Sequence, residues 1–180
     1  MKKYRILPII LITVLIVSLT LCGTVLAYMF RQTEYKVNEF TPANVSCEVL
    51  EKFDGEQKTS IQVQNTSNID AYIRVRFVSY WVDAEGKIVA KPSEMPTIDP
   101  ASGWLAGTNN TYYYQSPIGP GGSTPNLLKE GTSITLKQDE NGYLQVIEVF
   151  AEAIQSKPQD AAVNSWKVTI DSSGNITAVP

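Results

Sequence analysis

The stretch Ile69-Asp-Ala-Tyr-Ile-Arg-Val-Arg-Phe-Val-Ser-Tyr-Trp-Val-Asp83 decides the fold. Its odd positions read Ile69, Ala71, Ile73, Val75, Phe77, Ser79 and Trp81, while the even ones include Asp70, Tyr72, Arg74, Arg76 and Tyr80. Strand side chains point alternately to opposite faces, so a period of two with β-branched and aromatic filling predicts one long strand with its odd face buried. Asp83-Ala-Glu-Gly86 then supplies a turn, and Lys87 to Ala90 the return arm of a hairpin.

The same pattern extends in both directions. Upstream, Val45, Cys47 and Val49 alternate with Ser46 and Glu48, Asp54-Gly55 marks a turn, and Ile61 and Val63 alternate with Gln62 and Gln64 before the Asn65-Thr-Ser-Asn68 turn cluster. Downstream, strands are predicted at Thr111 to Gln115, Thr132 to Lys137, Tyr143 to Gln155, Ser165 to Ile170 and Asn175 to Val179, with turns at Glu140-Asn-Gly142 and Asp171-Ser-Ser-Gly174. Leu144 to Ile154 is two-sided: Val146, Val149, Phe150, Ala153 and Ile154 fit helical spacing, whereas the Asn-Gly turn before it and its β-branched residues fit a strand. Between Lys91 and Asn126 six prolines, with Gly119, Gly121 and Gly122, break regular structure into long loops around a short aromatic strand. Strands separated by turn chemistry predict an all-β chain, an antiparallel sandwich of jelly-roll type forming a single domain over residues 28 to 180.

Ahead of that domain, Ile6 to Phe30 carries no charge and follows Lys2, Lys3 and Arg5. Val25-Leu26-Ala27 offers the small residues a signal peptidase requires, so residues 1 to 27 read as a secretory signal cut between Ala27 and Tyr28, with an uncleaved membrane anchor as the alternative. Leu21 is bulky where a lipoprotein signal before Cys22 wants a small residue. With 15 basic and 18 acidic residues the full chain carries −3, and losing three basic residues with the leader makes the remainder −6. An acidic domain without a basic cluster does not point to nucleic acid. The chain contains no His, which removes imidazole chemistry and most zinc-enzyme readings. No catalytic, cofactor or metal constellation is read, and Asp83 with Glu85, or Asp139 with Glu140, lack the spacing of a calcium loop.

Several of these segments taken together, Gly23-Thr-Val-Leu-Ala-Tyr28, Asn38-Glu-Phe-Thr-Pro42, Asn65 to Val75 running to Trp81, Ala151-Glu-Ala-Ile-Gln155 and Ala162-Val-Asn-Ser-Trp166, resemble the camelysin and TasA-like family of exported Gram-positive proteins. The resemblance implies a jelly-roll β domain displayed outside the cell, a dedicated signal peptidase as processing partner, and, for matrix members, fibres in which an N-terminal strand of one subunit completes a sheet of the next. It also favours the strand at Tyr143 to Gln155. The metalloprotease activity attached to the camelysin name has no His-Glu-x-x-His pair to rest on here.

The function expected is therefore a non-enzymatic structural subunit or accessory of extracellular matrix fibres, with itself or a related subunit as partner and the membrane touched only through the leader. The donor-strand candidate is 28 to 40, with Tyr28, Phe30, Tyr35, Val37 and Phe40 as plugs. The alternative is a monomeric adhesin holding a glycan or host protein through Trp104 to Pro125, where Trp104, Tyr112, Tyr113 and Tyr114 offer an aromatic surface. Against that surface stands the fact that successive tyrosines on a strand point to both faces. Cys47, on the face of Val45 and Val49, reads as a buried thiol, with an intersubunit disulfide as the rival. Arg74 and Arg76 read as a solvated face, with pairing to a neighbouring subunit's carboxylates as the rival.

Overall fold

The computed structural model describes the backbone of residues 6–31 and 43–180, and side chains for 8–24 and 43–180. The chain forms two units, one ending at Thr41 and the other running from Pro42 to Pro180.

The first unit is a helix, α1, Ile6–Arg31. Pro8 sits in its first turn, where a missing N–H costs nothing. Its hydroxyls fold back on the helix, Thr13 donating to the Ile9 carbonyl and Ser18 to that of Leu15, so the polar groups are satisfied internally. Among the described residues no helix is long and apolar enough to cross a membrane. The helical backbone runs through Ala27 and Tyr28 without a break.

The second unit is mostly strand in open sheets, as expected for an all-β chain. Its elements are β1 (Cys47–Phe53), β2 (Gln57–Asn65), β3 (Ala71–Val82), β4 (Ile88–Val89), β5 (Trp104–Ala106), β6 (Thr111–Tyr114), β7 (Ile134–Thr135), β8 (Leu144–Gln155), α2 (Asp160–Trp166), β9 (Thr169–Ile170) and β10 (Ile176–Ala178). One sheet has the order β1-β2-β7 and another β4-β3-β6-β5, with β8 on the other side of β3; β9 and β10 form a ribbon. All pairings are antiparallel, and β8 pairs β3 along its whole length, from Ala71 with Gln155 to Val82 with Leu144. The two-sided segment 144–154 is thus strand, in keeping with its β-branched residues and the Asn-Gly turn before it.

Three of the turns are one device repeated. In Asp83 to Lys87, Asp139 to Tyr143 and Asp171 to Asn175 the aspartate carboxylate accepts the N–H groups two and four residues on, while the glycine at the fourth position takes a φ of 78°, 82° and 84° respectively. An aspartate that mimics a backbone acceptor, followed by a residue free to adopt left-handed φ, fixes the reversal. Asp54 performs the same service for β1 and β2 by accepting from Glu56 and Gln57.

The main core joins both large sheets: Ile61 and Val63 from β2, Ile73, Val75 and Phe77 from β3, Trp104, Tyr112, Ile134 and Ile147, with Leu127 and Leu128 from a loop. The odd face of β3 is buried as its pattern demands. Its even face departs from expectation at one end, because Tyr72 is buried too, in a second cluster with Tyr113, Ala162, Trp166, Val168 and Ile176. The cause is α2, which lies where Ser165 to Ile170 is predicted to begin a strand. Ala162 and Trp166 fall four residues apart on one helical face and bury it, and Lys167 ends the helix at φ 57°, leaving only Thr169–Ile170 to pair with β10.

The Pro/Gly-rich loop has a structural task, since it covers the outer edge of β2. The Thr124 N–H donates to the Val63 carbonyl and its hydroxyl oxygen accepts the Val63 N–H, the Leu127 N–H donates to the Ile61 carbonyl, and Asn126 accepts from the Ile61 N–H. Buried Asn65 ties the loop down, its amide donating to the carbonyls of Ile69 and Ile118 while its oxygen accepts from Ser67. A buried amide with all these partners is stabilising where an unsatisfied one would not be.

Candidate assembly site

With the loop on β2 and with β6 and β4 on β3, two long margins stay open among the described residues: β1 pairs only with β2, and β8, beyond a bridge of Leu144 with Gln138, only with β3. The two margins face each other. At one end Cys47 lies in the field of Glu152, and at the other Phe53 lines a hollow with Leu144 and Val146. The edges therefore run in opposite directions. The short segment Lys137 to Gln138 covers the first residues of β8, Gln145 donating its N–H to the Lys137 carbonyl, and the cover stops there.

Between the margins is a recess of about 470 Å³ lined by Val49, Glu51, Phe53, Lys58 and residues 146–150. A second hollow of about 410 Å³ continues it past Phe53 and Val146 to Leu136 and Leu144. Apolar side chains flank it in the open, with Phe53 46% and Phe150 43% exposed. Edges of this kind can take an added strand once they part, since β1 and β8 approach within 8 Å in places and a strand between them needs about 9.6 Å from one neighbour to the other.

An ion pair crosses the recess floor. The Lys58 ammonium donates to both carboxylate oxygens of Glu51, at 2.9 and 2.8 Å, and lies 4.7 Å from the centre of the Phe53 ring. The Lys58 side chain is only 7% exposed while that of Glu51 is 33% exposed. Neither residue is singled out by the sequence: Lys58 is out of phase with inward Ile61 and Val63, and only the register shift at Lys52–Phe53, which sets Lys58 opposite Phe53, brings it inward beside Glu51. Cys47 packs half-buried against the main core, and burial, then the charge of Glu152, pushes its thiol pKa up. Its side chain is thus half-buried where the alternation predicts a buried thiol.

No family model matches this chain, and no curated protein or solved structure matches it either.

The residues proposed from sequence distribute unevenly. Tyr28 lies on the α1 backbone, as do Ala27 and Phe30, while Tyr35, Val37 and Phe40 lie outside the described residues. The aromatic surface is corrected: Trp104, Tyr112 and Tyr113 are 5%, 8% and 3% exposed. Pairing of β5 with β6 turns them into core. Tyr112 meets Phe77 edge-on with centres 5.6 Å apart, Trp104 leans on Tyr114 at 5.3 Å, and Tyr113 points to the opposite face against Trp166 at 5.9 Å. Arg74 is not a solvated arginine, for it pairs within its own chain with Glu152 at 2.7 Å and stacks 4.8 Å from Trp166. Among the described residues no group of Cys, Asp and Glu side chains is placed to hold a metal ion.

Proposed function

We propose that this chain is an exported, non-enzymatic structural protein, a subunit or accessory of extracellular matrix fibres, whose β unit is a jelly-roll-type sandwich. Residues 1 to 27 act as its leader, and a signal peptidase is its processing partner. Subunits join when an extended segment of one, residues 28 to 40, enters the channel between β1 and β8 of the next. The observation that carries this reading is the pair of facing, unpaired strand margins with apolar side chains between them. Because these margins run in opposite directions, the entering strand lies parallel to one and antiparallel to the other, and its alternate side chains fill the recess.

The adhesin alternative loses support from the burial of Trp104, Tyr112 and Tyr113. Electron microscopy and size-exclusion chromatography of secreted protein test the proposal. Deletion of residues 28 to 40 is expected to give a folded monomer without fibres, and Val146→Glu, at the recess wall, to abolish fibres while the donor segment is intact. Unchanged polymer from both variants would refute strand entry at this channel.

A further inference from the structure

On the even face of the main sheet, antiparallel register lines up two rows across β8, β3 and β6: Glu152, Arg74 and Tyr113 in one, Phe150, Arg76 and Thr111 in the next. The two guanidinium groups thus project side by side from one strand. Arg74 is held firmly, its Nη2 on Glu152 at 2.7 Å and its guanidinium carbon 4.8 Å from the Trp166 ring and 6.0 Å from that of Tyr113. That packing leaves the buried Arg74 Nε without a hydrogen-bond partner. Arg76 is exposed and takes part in none of the four ion pairs among the described residues.

Next to these groups the β5–β6 turn is fixed with its polar side chains presented. Asn109 and Asn110 take left-handed φ of 53° and 55°, the Asn110 carbonyl accepts the Phe77 N–H at 3.1 Å, and the Thr111 N–H donates to Thr108 at 3.1 Å. A recess of about 180 Å³ opens between them, walled by Arg74, Arg76, Thr108, Asn109 and Thr111, with Glu152 at its rim. Two guanidinium groups and one carboxylate leave it one net positive charge, on a chain whose total is −3.

We infer that this recess binds the carboxylate of an acidic sugar. Arg76 offers the planar fork that matches a carboxylate in bidentate fashion, and Arg74 adds a preorganised cation whose position is already paid by its ring contacts. Glu152 limits the charge to what one carboxylate neutralises and disfavours a dianion. The hydroxyl of Thr108 and the amide of Asn109 donate and accept, as recognition of ring hydroxyls requires, while the Thr111 hydroxyl, whose proton goes to the Asn109 carbonyl, adds an acceptor. This inference does not depend on strand donation, since the site lies on the sheet face and not in the channel.

Titration of the full-length chain with D-galacturonate, followed by amide NMR shifts, tests it, with D-galactose and N-acetylglutamate as separate arms. Saturable shifts centred on Thr111 and Asn109 are expected with galacturonate, at least tenfold weaker with galactose, and weaker with N-acetylglutamate. Arg76→Gln should weaken galacturonate at least tenfold without moving the thermal midpoint, and Arg76→Lys should restore part of it. Equal response to galactose, no saturable response to galacturonate, or full binding by Arg76→Gln would overturn the assignment. Tighter binding of N-acetylglutamate than of galacturonate would also overturn it, giving the recess to an acidic peptide.

Discussion

Removing Glu51 and removing Lys58 are expected to have unequal consequences, although the two residues form one ion pair. Glu51→Ala leaves an ammonium whose side chain is 7% exposed without its carboxylate partner, against the Phe53 ring. Breaking a fully buried pair from one side costs about 3–5 kcal/mol, because the remaining charge is desolvated and unpaired. Here the recess is open and the Glu51 side chain was itself 33% exposed, so water reaches the ammonium and the cost falls to the low end, about 2–3 kcal/mol. For a β unit of this size that corresponds to a thermal midpoint lower by about 6–15 °C, or a urea midpoint lower by about 1–2 M. Lys58→Met removes the desolvated charge, keeps the stem's volume against Phe53, and frees a carboxylate that can hydrate, so its stability should stay within about 1 kcal/mol of the parent. Urea unfolding monitored by tryptophan fluorescence, with the slope held common, measures both. A loss below about 0.5 kcal/mol for Glu51→Ala, or equal losses for the two variants, would refute the view that burial of the lysine sets the asymmetry.

Three further outcomes follow from the geometry. A double-mutant cycle of Arg74→Met and Trp166→Leu should give a coupling of about 1 kcal/mol, between the values for exposed and desolvated cation–π pairs; a coupling under about 0.3 kcal/mol would mean the stacking is incidental. Gly174→Ala should cost about 1–2 kcal/mol from strain at φ 84°, since the added Cβ meets nothing closer than 3.6 Å, while Ser173→Ala in the same turn should be near neutral by thermal unfolding. The Lys91 hydrogen bond, then the N–H groups of Tyr143 and Asn141, hold the Asp139 carboxyl below its ordinary value, and the N–H groups of Gln57 and Glu56 do the same for Asp54. Groups depressed in this way stabilise the fold above the unfolded carboxylate pKa near about 3.9 and lose that contribution as pH falls through their folded values; Asp139→Asn should therefore flatten the acid limb of a stability profile and leave the neutral region's slope unchanged.

The parts of the fold that were legible in the sequence are those set by neighbours along the chain. Alternation from Ile69 to Trp81 located β3 and its inward face, and each aspartate-to-glycine spacing located a reversal, because the hydrogen bonds involved close within five residues. What escaped depends on distant partners. β5 has only three residues and becomes a strand by pairing Trp104 with Tyr114, and this conversion of an apparent surface into core invalidated the aromatic binding surface. α2 has seven residues, too few to show a period, although Ala162 and Trp166 carried its four-residue spacing. Burial of Tyr72 then followed from α2 and not from β3's own pattern. Likewise a strand's sequence does not say whether it lies at a margin, so the channel between β1 and β8 was visible only in the topology.

The ladder between β3 and β8 has a kinetic corollary. Arg74 and Glu152 are separated by 78 residues along the chain and Tyr80 and Glu148 by 68, yet they stand side by side where β3 meets the edge strand β8. The β1–β2 hairpin closes locally and can form early, whereas the β3–β8 pairing waits until nearly the whole polypeptide is available and a large loop has been closed. A chain emerging N-terminus first thus has β3 matched only by the short strands β4 and β6 until β8 appears, which makes holding factors useful until the last third of the chain has emerged.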